Sequence, residues 1–246
     1  MLTLDRSFNV AALRRLSPSV LAVLAVCALA AAPAQATVVV ETGEAGQTLA
    51  TAQVTTGAAG ALTGITGSLF ASNDADLFLI NITAPAAFSA STVSVAGLEL
   101  DTQLFLFTLA GAPVYGNDDR ADGLSLLSAL PAGAAFGPVA AGAYYLGISL
   151  SGYEPANSNG QLLFSFGLST DLRSPASGVT PLALSGFDGD GFAPVGAYSI
   201  QLSGAAVAAV PEPGTGLMFL VAGALAAAQW RRRGRRAQPV TAPVQA

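Results

Sequence analysis

The 246-residue chain has no histidine and no lysine, and its single cysteine and single tryptophan lie in segments near its two ends. Because Cys27 falls in an apolar N-terminal stretch, the region beyond it offers no thiolate and no disulfide. These absences exclude Ser-His-Asp triads, cysteine nucleophiles, Schiff-base lysines and imidazole zinc sites from that region. Carboxylates remain, so a glycoside hydrolase built on two carboxylates is the enzyme class that stays open.

Positive charge is equally scarce in the middle of the chain. Between residues 37 and 210, thirteen acidic side chains face only Arg120 and Arg173, which gives a formal charge of −11. The other eight arginines lie in the N-terminal and C-terminal segments. A surface of this sign repels nucleic acid and anionic lipid, so we expect no nucleic-acid partner. It suits cations or a solvated extracellular environment.

The N-terminus has the three parts of a secretory signal peptide. Arg14 and Arg15 precede an apolar run at 20–32, and Ala34 and Ala36 form an A-x-A cleavage site. We therefore predict a signal helix over 1–36, removed by signal peptidase. Two alternatives stay open: a retained anchor, for which the run is short against about 20 residues, and lipidation at Cys27.

The C-terminus combines a breaker, an apolar run and a basic block. Pro211, Glu212 and Pro213 precede an apolar stretch to residue 230, which is followed by Arg231, Arg232, Arg233, Arg235 and Arg236. As a helix this stretch would be roughly 25 Å long, close to a hydrocarbon core of about 30 Å. We predict a transmembrane helix in the inner membrane, with the arginines as a cytoplasmic stop-transfer signal. A small-residue linker at 205–210 precedes it, and a polar tail at 237–246 follows.

The central region shows strand signals. Short runs rich in β-branched and aromatic residues, bounded by Gly, Pro, Asn and Asp, occur at 37–41, 76–82, 102–109, 143–150, 161–168 and 197–202. This pattern predicts an all-β sandwich over 37–204. The connections at 151–160 and 169–194 are expected to be surface loops.

Several acids are clustered in ways that suit calcium, which takes six to eight oxygen ligands from flexible loops. They are Asp118, Asp119 and Asp122 in one turn, Asp74 and Asp76 before a strand, and Asp188 and Asp190 in a Gly-rich loop. Asp and Gly are also ordinary turn residues, and Arg120 could neutralise the first group. A calcium site and a metal-free turn both remain open.

The three-part C-terminus at 211–236 resembles the PEP-CTERM sorting signal of Gram-negative bacteria. The resemblance implies recognition by an exosortase, a membrane transpeptidase-like enzyme. It also implies cleavage near Pro211-Glu212-Pro213 and delivery to the cell surface or an exopolysaccharide matrix. Members of that family usually end close to the basic cluster, whereas ten residues follow Arg236 here.

The middle of the chain resembles bacterial pre-peptidase C-terminal (PPC-like) domains. The matching pieces are NDADLF at 73–78, LDTQLFLF at 100–107, NDD at 117–119 and AGAYYL at 141–146. The resemblance implies a jelly-roll-like antiparallel β-sandwich on an exported protein. Some relatives hold calcium through such acids.

Together these features predict an exported, non-enzymatic surface or extracellular-matrix protein. One alternative is a carbohydrate-binding or adhesive module, in which Tyr115, Tyr144, Tyr145 and Tyr153 stack on sugar rings. An exposed line of these rings would favour that module, and their burial would favour a structural domain. A second alternative, the glycoside hydrolase, requires two carboxylates that face one cleft.

Overall fold

A computed structural model describes residues 35–57, 60–192 and 194–208, which form fourteen strands and one short 3₁₀ helix at Pro85–Ala87. The strands are β1 (Gln35–Val40), β2 (Gln53–Val54), β3 (Gly60–Leu69), β4 (Ala75–Ile82), β5 (Ser89–Val93), β6 (Thr102–Thr108), β7 (Pro113–Asn117), β8 (Ala129–Leu130), β9 (Gly142–Leu150), β10 (Tyr153–Ala156), β11 (Leu172–Arg173), β12 (Gly186–Gly189), β13 (Gly196–Ser203) and β14 (Ala205–Val207). No helix within these described ranges is long and apolar enough to span a membrane. The described region is therefore all-β, as the sequence predicted.

Twelve strands form one sheet that curls back on itself. Its order is β11-β7-β6-β9-β4-β14-β3-β13-β5-β8, with β1 added parallel to β3 and β2 parallel to β4. The other pairings are antiparallel. Strand β7 lies near one end of this order and β8 at the other end. The side-chain oxygen of Asn117 in β7 accepts a hydrogen bond from the Ala129 amide in β8 at 2.8 Å. The first and last parts of the sheet therefore meet.

The main core fills the inside of the curled sheet. It draws buried side chains from β1, β3 to β9, β13 and β14. Strand β13 shows the alternation that produces this core, because Tyr198, Ile200 and Leu202 are buried while Gln201 and Ser203 are exposed. Successive side chains of a strand point to opposite faces, so one face of β13 lines the core and the other meets solvent.

A second apolar cluster covers the outer face of β4 and β6. Leu77 and the two phenylalanines Phe105 and Phe107 point away from the main core and pack against Leu163, Phe164 and Leu184. The ring centroids of Phe105 and Phe164 lie 5.2 Å apart. This cover explains why β4 and β6 are apolar on both faces. The predicted loops at 151–160 and 169–194 are thus partly wrong, since they contain β10, β11, β12 and part of this second core.

Two further predictions need correction. The run at 161–168 is not a strand, because it makes only isolated bridges, such as Ala156 with Leu162, while its apolar side chains cover the sheet. The segment predicted as a linker at 205–210 begins as β14, which pairs with both β3 and β4. After β14, the Ala208 amide donates to the Thr55 hydroxyl at 2.9 Å, so the backbone is fixed to the sheet as far as residue 208.

Candidate functional site

Two groups of acidic residues in the described part of the chain each bring three carboxylates together. The Glu41 cluster consists of Glu41, Glu44 and Asp76, and the Asp118 cluster consists of Asp101, Asp118 and Asp119. Within each cluster, one oxygen from every carboxylate lies within 4.8 Å of the others. Such spacing is that of oxygen ligands around one cation.

The Glu41 cluster is built around a fully buried aspartate. Asp76 lies in β4 with 0% exposure, and its Oδ2 accepts a hydrogen bond from the Tyr198 hydroxyl at 2.7 Å. Its Oδ1 has no hydrogen-bond partner among the described residues. Glu41, directly after β1, accepts the Ser68 amide through Oε2 at 2.8 Å and the Ala45 amide through Oε1 at 3.2 Å. Glu41 therefore attaches the end of β1 to β3 through Ser68 and holds the segment that follows β1 through Ala45.

Burial makes ionisation unfavourable in this cluster. Desolvation raises the pKa of Asp76 to about 9, the Tyr198 hydrogen bond lowers it, and the nearby Glu41, Glu44 and Asp74 carboxylates raise it. Burial also raises the pKa of Glu41 and of Asp74 above their usual values. A buried carboxylate needs a compensating proton or cation. The Glu41 cluster therefore requires a bound proton or a bound cation.

Asp74 and Gly67 complete the surroundings of the Glu41 cluster. Asp74 is buried, and its Oδ2 accepts the Phe70 amide at 2.6 Å. Gly67 lies in β3 where a Cβ would collide with the Tyr198 hydroxyl and with Glu41 Oε2. Glycine is therefore what permits these two side chains to approach the strand.

The Asp118 cluster includes a buried ion pair. Asp118, 7% exposed, follows β7, and its Oδ2 accepts a hydrogen bond from Arg173 at 3.0 Å. Arg173 also donates to Glu154 Oε1 at 2.7 Å, and the Gln103 amide nitrogen donates to the same oxygen at 2.9 Å. Arg173 therefore links the residue that follows β7 to β10.

The carboxylates of this cluster repel each other. Burial, together with the nearby Asp118 and Asp119 carboxylates, raises the pKa of Asp101 to about 6. Burial also raises the pKa of Asp118, while the Arg173 guanidinium opposes that rise. The single guanidinium thus offsets only part of the cost of holding these acids together.

The structure brings some of the predicted calcium ligands together and separates others. Asp118 and Asp119 come together, but their third partner is Asp101, because Asp122 is turned towards solvent and accepts hydrogen bonds from Arg120 at 2.8 Å and from the Leu124 amide. Asp76 belongs to the Glu41 cluster, whereas Asp74 lies nearby and is not one of its three carboxylates. Asp188 and Asp190 are exposed and belong to neither cluster.

Sequence reasoning missed the acids that long-range contacts supply. Glu41 comes near Asp76 because β1 pairs with β3, and β3 pairs with β13, whose Tyr198 donates to Asp76. Asp101 reaches Asp118 because β6 pairs with β7. One signal was available for Asp101, which directly precedes an apolar strand just as Asp74 precedes β4. Nothing local marked Glu41 or Arg173.

The tyrosines considered for sugar stacking do not form an exposed line. Tyr115, Tyr144 and Tyr153 are buried, and Tyr145 is half-buried against the second core. An open groove of about 630 Å³ adjoins the Glu41 cluster and is lined in part by Val40, Phe70 and Tyr198. Of the two aromatic residues that line the groove, Phe70 is 68% exposed and Tyr198 is buried. The groove therefore offers one exposed ring and not a line of rings for sugar stacking.

A family model described as the PEP-CTERM protein-sorting motif matches residues 209–233. A PEP-CTERM sorting motif is thus present at this end of the protein. The matched segment contains Pro211, Glu212 and Pro213 and the first three arginines of the basic block, and Arg235 and Arg236 follow it. Such a motif implies export and processing by an exosortase. No curated protein matches the sequence.

The targeting residues fall largely outside the described part of the chain. The structure does not describe Ala34, the PEP residues or the five arginines of the basic block. Their placement therefore stays a prediction from the sequence. Ala36 is described as an exposed residue of β1, which begins at Gln35. Cleavage after Ala36 would leave the last four residues of β1 in the sheet.

Proposed function

We propose that the protein is an exported, non-enzymatic component of the cell surface or extracellular matrix. A C-terminal helix holds the precursor in the inner membrane until an exosortase cuts it near the PEP motif. The observation that carries this proposal is the sorting motif at 209–233. The net charge of −11 over residues 37–210 supports it, because such a surface suits a solvated extracellular environment.

The geometry of the carboxylates supports a non-enzymatic role. A glycoside hydrolase needs an acid and a second carboxylate that both contact the substrate. Asp76, the acid with the most raised pKa, is 0% exposed and cannot reach the adjoining groove. Glu41, which lines that groove, uses both oxygens to bind backbone amides. The hydrolase alternative therefore lacks a working pair at this groove.

We favour a structural domain with a jelly-roll-like sandwich over a carbohydrate-binding or adhesive module. The curled antiparallel sheet around one main core supports this architecture. The burial of Tyr115, Tyr144 and Tyr153 weighs against three of the four residues on which the sugar-stacking alternative was based, and the fourth, Tyr145, is half-buried. Association with exopolysaccharide would then not depend on stacking by these tyrosines.

Intact-mass spectrometry of surface, secreted and membrane fractions tests the sorting proposal. In the native host we expect a surface form that has lost the residues after the PEP motif. A strain without the exosortase should retain the full C-terminus in the membrane fraction. The Glu212→Gln variant should accumulate unprocessed, whereas the matched Glu99→Gln variant, at an exposed position before β6, should be processed normally. An identical C-terminus in both strains would refute the proposal.

We also propose that the Glu41 cluster binds a divalent cation of the calcium type. The unpartnered Oδ1 of the fully buried Asp76 supports this, because a cation would satisfy it and balance Glu41 and Glu44. Oxygen-only ligands are those that calcium prefers. Calcium should raise the melting temperature and EGTA should lower it, since a ligand that binds only the folded state stabilises it.

The matched variants Glu44→Gln and Glu99→Gln separate the site from general charge effects. Both remove one negative charge from an exposed residue, but only Glu44 belongs to the cluster. We expect Glu44→Gln to weaken the response to calcium and Glu99→Gln to keep it. An equal response in the two variants would exclude the Glu41 cluster as the site.

A further inference from the structure

Three oxygen atoms around the Asp118 cluster are buried and have no hydrogen-bond partner among the described residues. They are Gln103 Oε1, Asp118 Oδ1 and Asp119 Oδ1. Gln103 is 1% exposed, and its amide nitrogen is fixed by Glu154, which leaves the oxygen free. A buried oxygen without a partner costs about 1–3 kcal/mol. Three such acceptors, two of them on carboxylates of the cluster itself, require a hydrogen-bond donor or a cation.

The charge balance gives the same indication. Asp101, Asp118, Asp119 and Glu154 carry four carboxylates, and Arg173 supplies one guanidinium. Arg173 contacts Asp118 through Oδ2, so it does not satisfy Oδ1. The only other basic residue within the described ranges, Arg120, pairs with Asp122. No side chain of the described region is therefore left to neutralise Asp101 and Asp119.

We propose that Asp101, Asp118 and Asp119, together with the Gln103 amide oxygen, form a second divalent-cation site of the calcium type. Arg173 is a positioning residue, because it holds Asp118 by one oxygen and leaves the other for the ion. Asp101 and Asp119 are only half-buried, so water can complete the six to eight oxygen ligands that calcium takes. The ion would join the start of β6 to the segment after β7. This site is separate from the Glu41 cluster and does not depend on it.

Equilibrium dialysis of the full-length protein with radioactive calcium tests this site. The calcium concentration should be about 5 mM, above the roughly 10⁻⁴–10⁻³ M dissociation constants of extracellular modules. We expect two ions per protein molecule, one ion in Asp119→Asn, one in Glu44→Gln and none in the double variant. Asp101→Asn should repeat the loss seen in Asp119→Asn, and Glu99→Gln should keep both ions. Circular dichroism confirms that each variant is folded.

The ion counts separate the two sites. Two ions in both Asp119→Asn and Asp101→Asn, or a single ion that Glu44→Gln removes, would overturn the Asp118 site. A single ion that Asp119→Asn removes would support it and overturn binding at the Glu41 cluster. No bound ion would overturn both. Hydrogen exchange supplies a second readout, since calcium should slow exchange of the amides at 117–127 in the parent but not in Asp119→Asn.

Discussion

At the residue scale, the two arginines of the central region have different roles. Arg173 is buried and bridges Asp118 and Glu154, whereas Arg120 forms an exposed pair with Asp122. Removing one partner of a buried ion pair leaves an uncompensated charge, while exposed pairs contribute little. The protein thus provides a matched comparison between a buried and an exposed arginine.

Arg173→Met should lower the free energy of unfolding by about 3–5 kcal/mol, because it leaves two buried carboxylates without their partner. Urea denaturation in the presence of EGTA measures this change free of any bound ion. Arg120→Met is the control, and its unfolding midpoint should stay close to that of the parent. If the two variants unfolded at the same urea concentration, the bridge would not contribute to stability.

At the element scale, the segment between β10 and β12 acts as a cover for the sheet. It has little regular structure, yet Phe164 contacts Phe105 at 5.2 Å and Phe107 at 5.6 Å between ring centroids. Without this cover, the outer faces of β4 and β6 would expose Leu77 and both phenylalanines. The segment therefore belongs to the folding unit.

Phe164→Ala should lower the free energy of unfolding by about 3–5 kcal/mol, as expected for a large aromatic side chain removed from a core. Phe166→Ala, two residues away and 72% exposed, should change it by about 0.5 kcal/mol or less. Chemical denaturation of both variants makes the comparison. Equal effects would show that the segment does not pack on the sheet as described.

At the scale of the whole molecule, the dominant property is excess negative charge. The charge of −11 over residues 37–210 causes self-repulsion in the compact state, and salt screens such repulsion. The described region has few ion pairs, so salt has little favourable attraction to weaken.

Raising monovalent salt from about 0.05 M to 0.5 M in EGTA should therefore raise the melting temperature by about 2–4 °C, equivalent to roughly 1 kcal/mol. A variant with Glu99→Gln, Asp188→Asn and Asp190→Asn, all exposed, should show a smaller rise. Differential scanning calorimetry provides the measurement. A melting temperature that falls with salt in the parent would contradict the expectation.

The sequence predicted the strands whose apolar runs are local, namely β1, β4, β6, β9 and β13. Among the strands it missed are β3 and β14, because GALTGITGSL and AAV consist largely of small residues whose burial depends on neighbouring strands. The run at 161–168 carries the same local signal as a strand but packs on a sheet instead of joining one. Local pattern cannot distinguish these two uses of an apolar run.

The candidate sites were likewise predictable only where their residues are neighbours in the sequence. Asp74 with Asp76, and Asp118 with Asp119, are neighbours in sequence and could be paired from spacing alone. Glu41, Asp101 and Arg173 are brought in by strand pairing or by distant loops, so their roles depend on topology. The sorting motif was recognisable throughout because its three parts are contiguous.

The position of β14 sets the order of events in export. This strand fills the gap between β3 and β4, yet it is the last strand of the described region and ends four residues before Pro211. A polypeptide exported from its N-terminus cannot close the sheet until residue 207 has crossed the membrane. On the proposed export and processing, the sheet would close only after β14 had crossed the membrane, and a cut at the PEP motif would release a domain that keeps this strand.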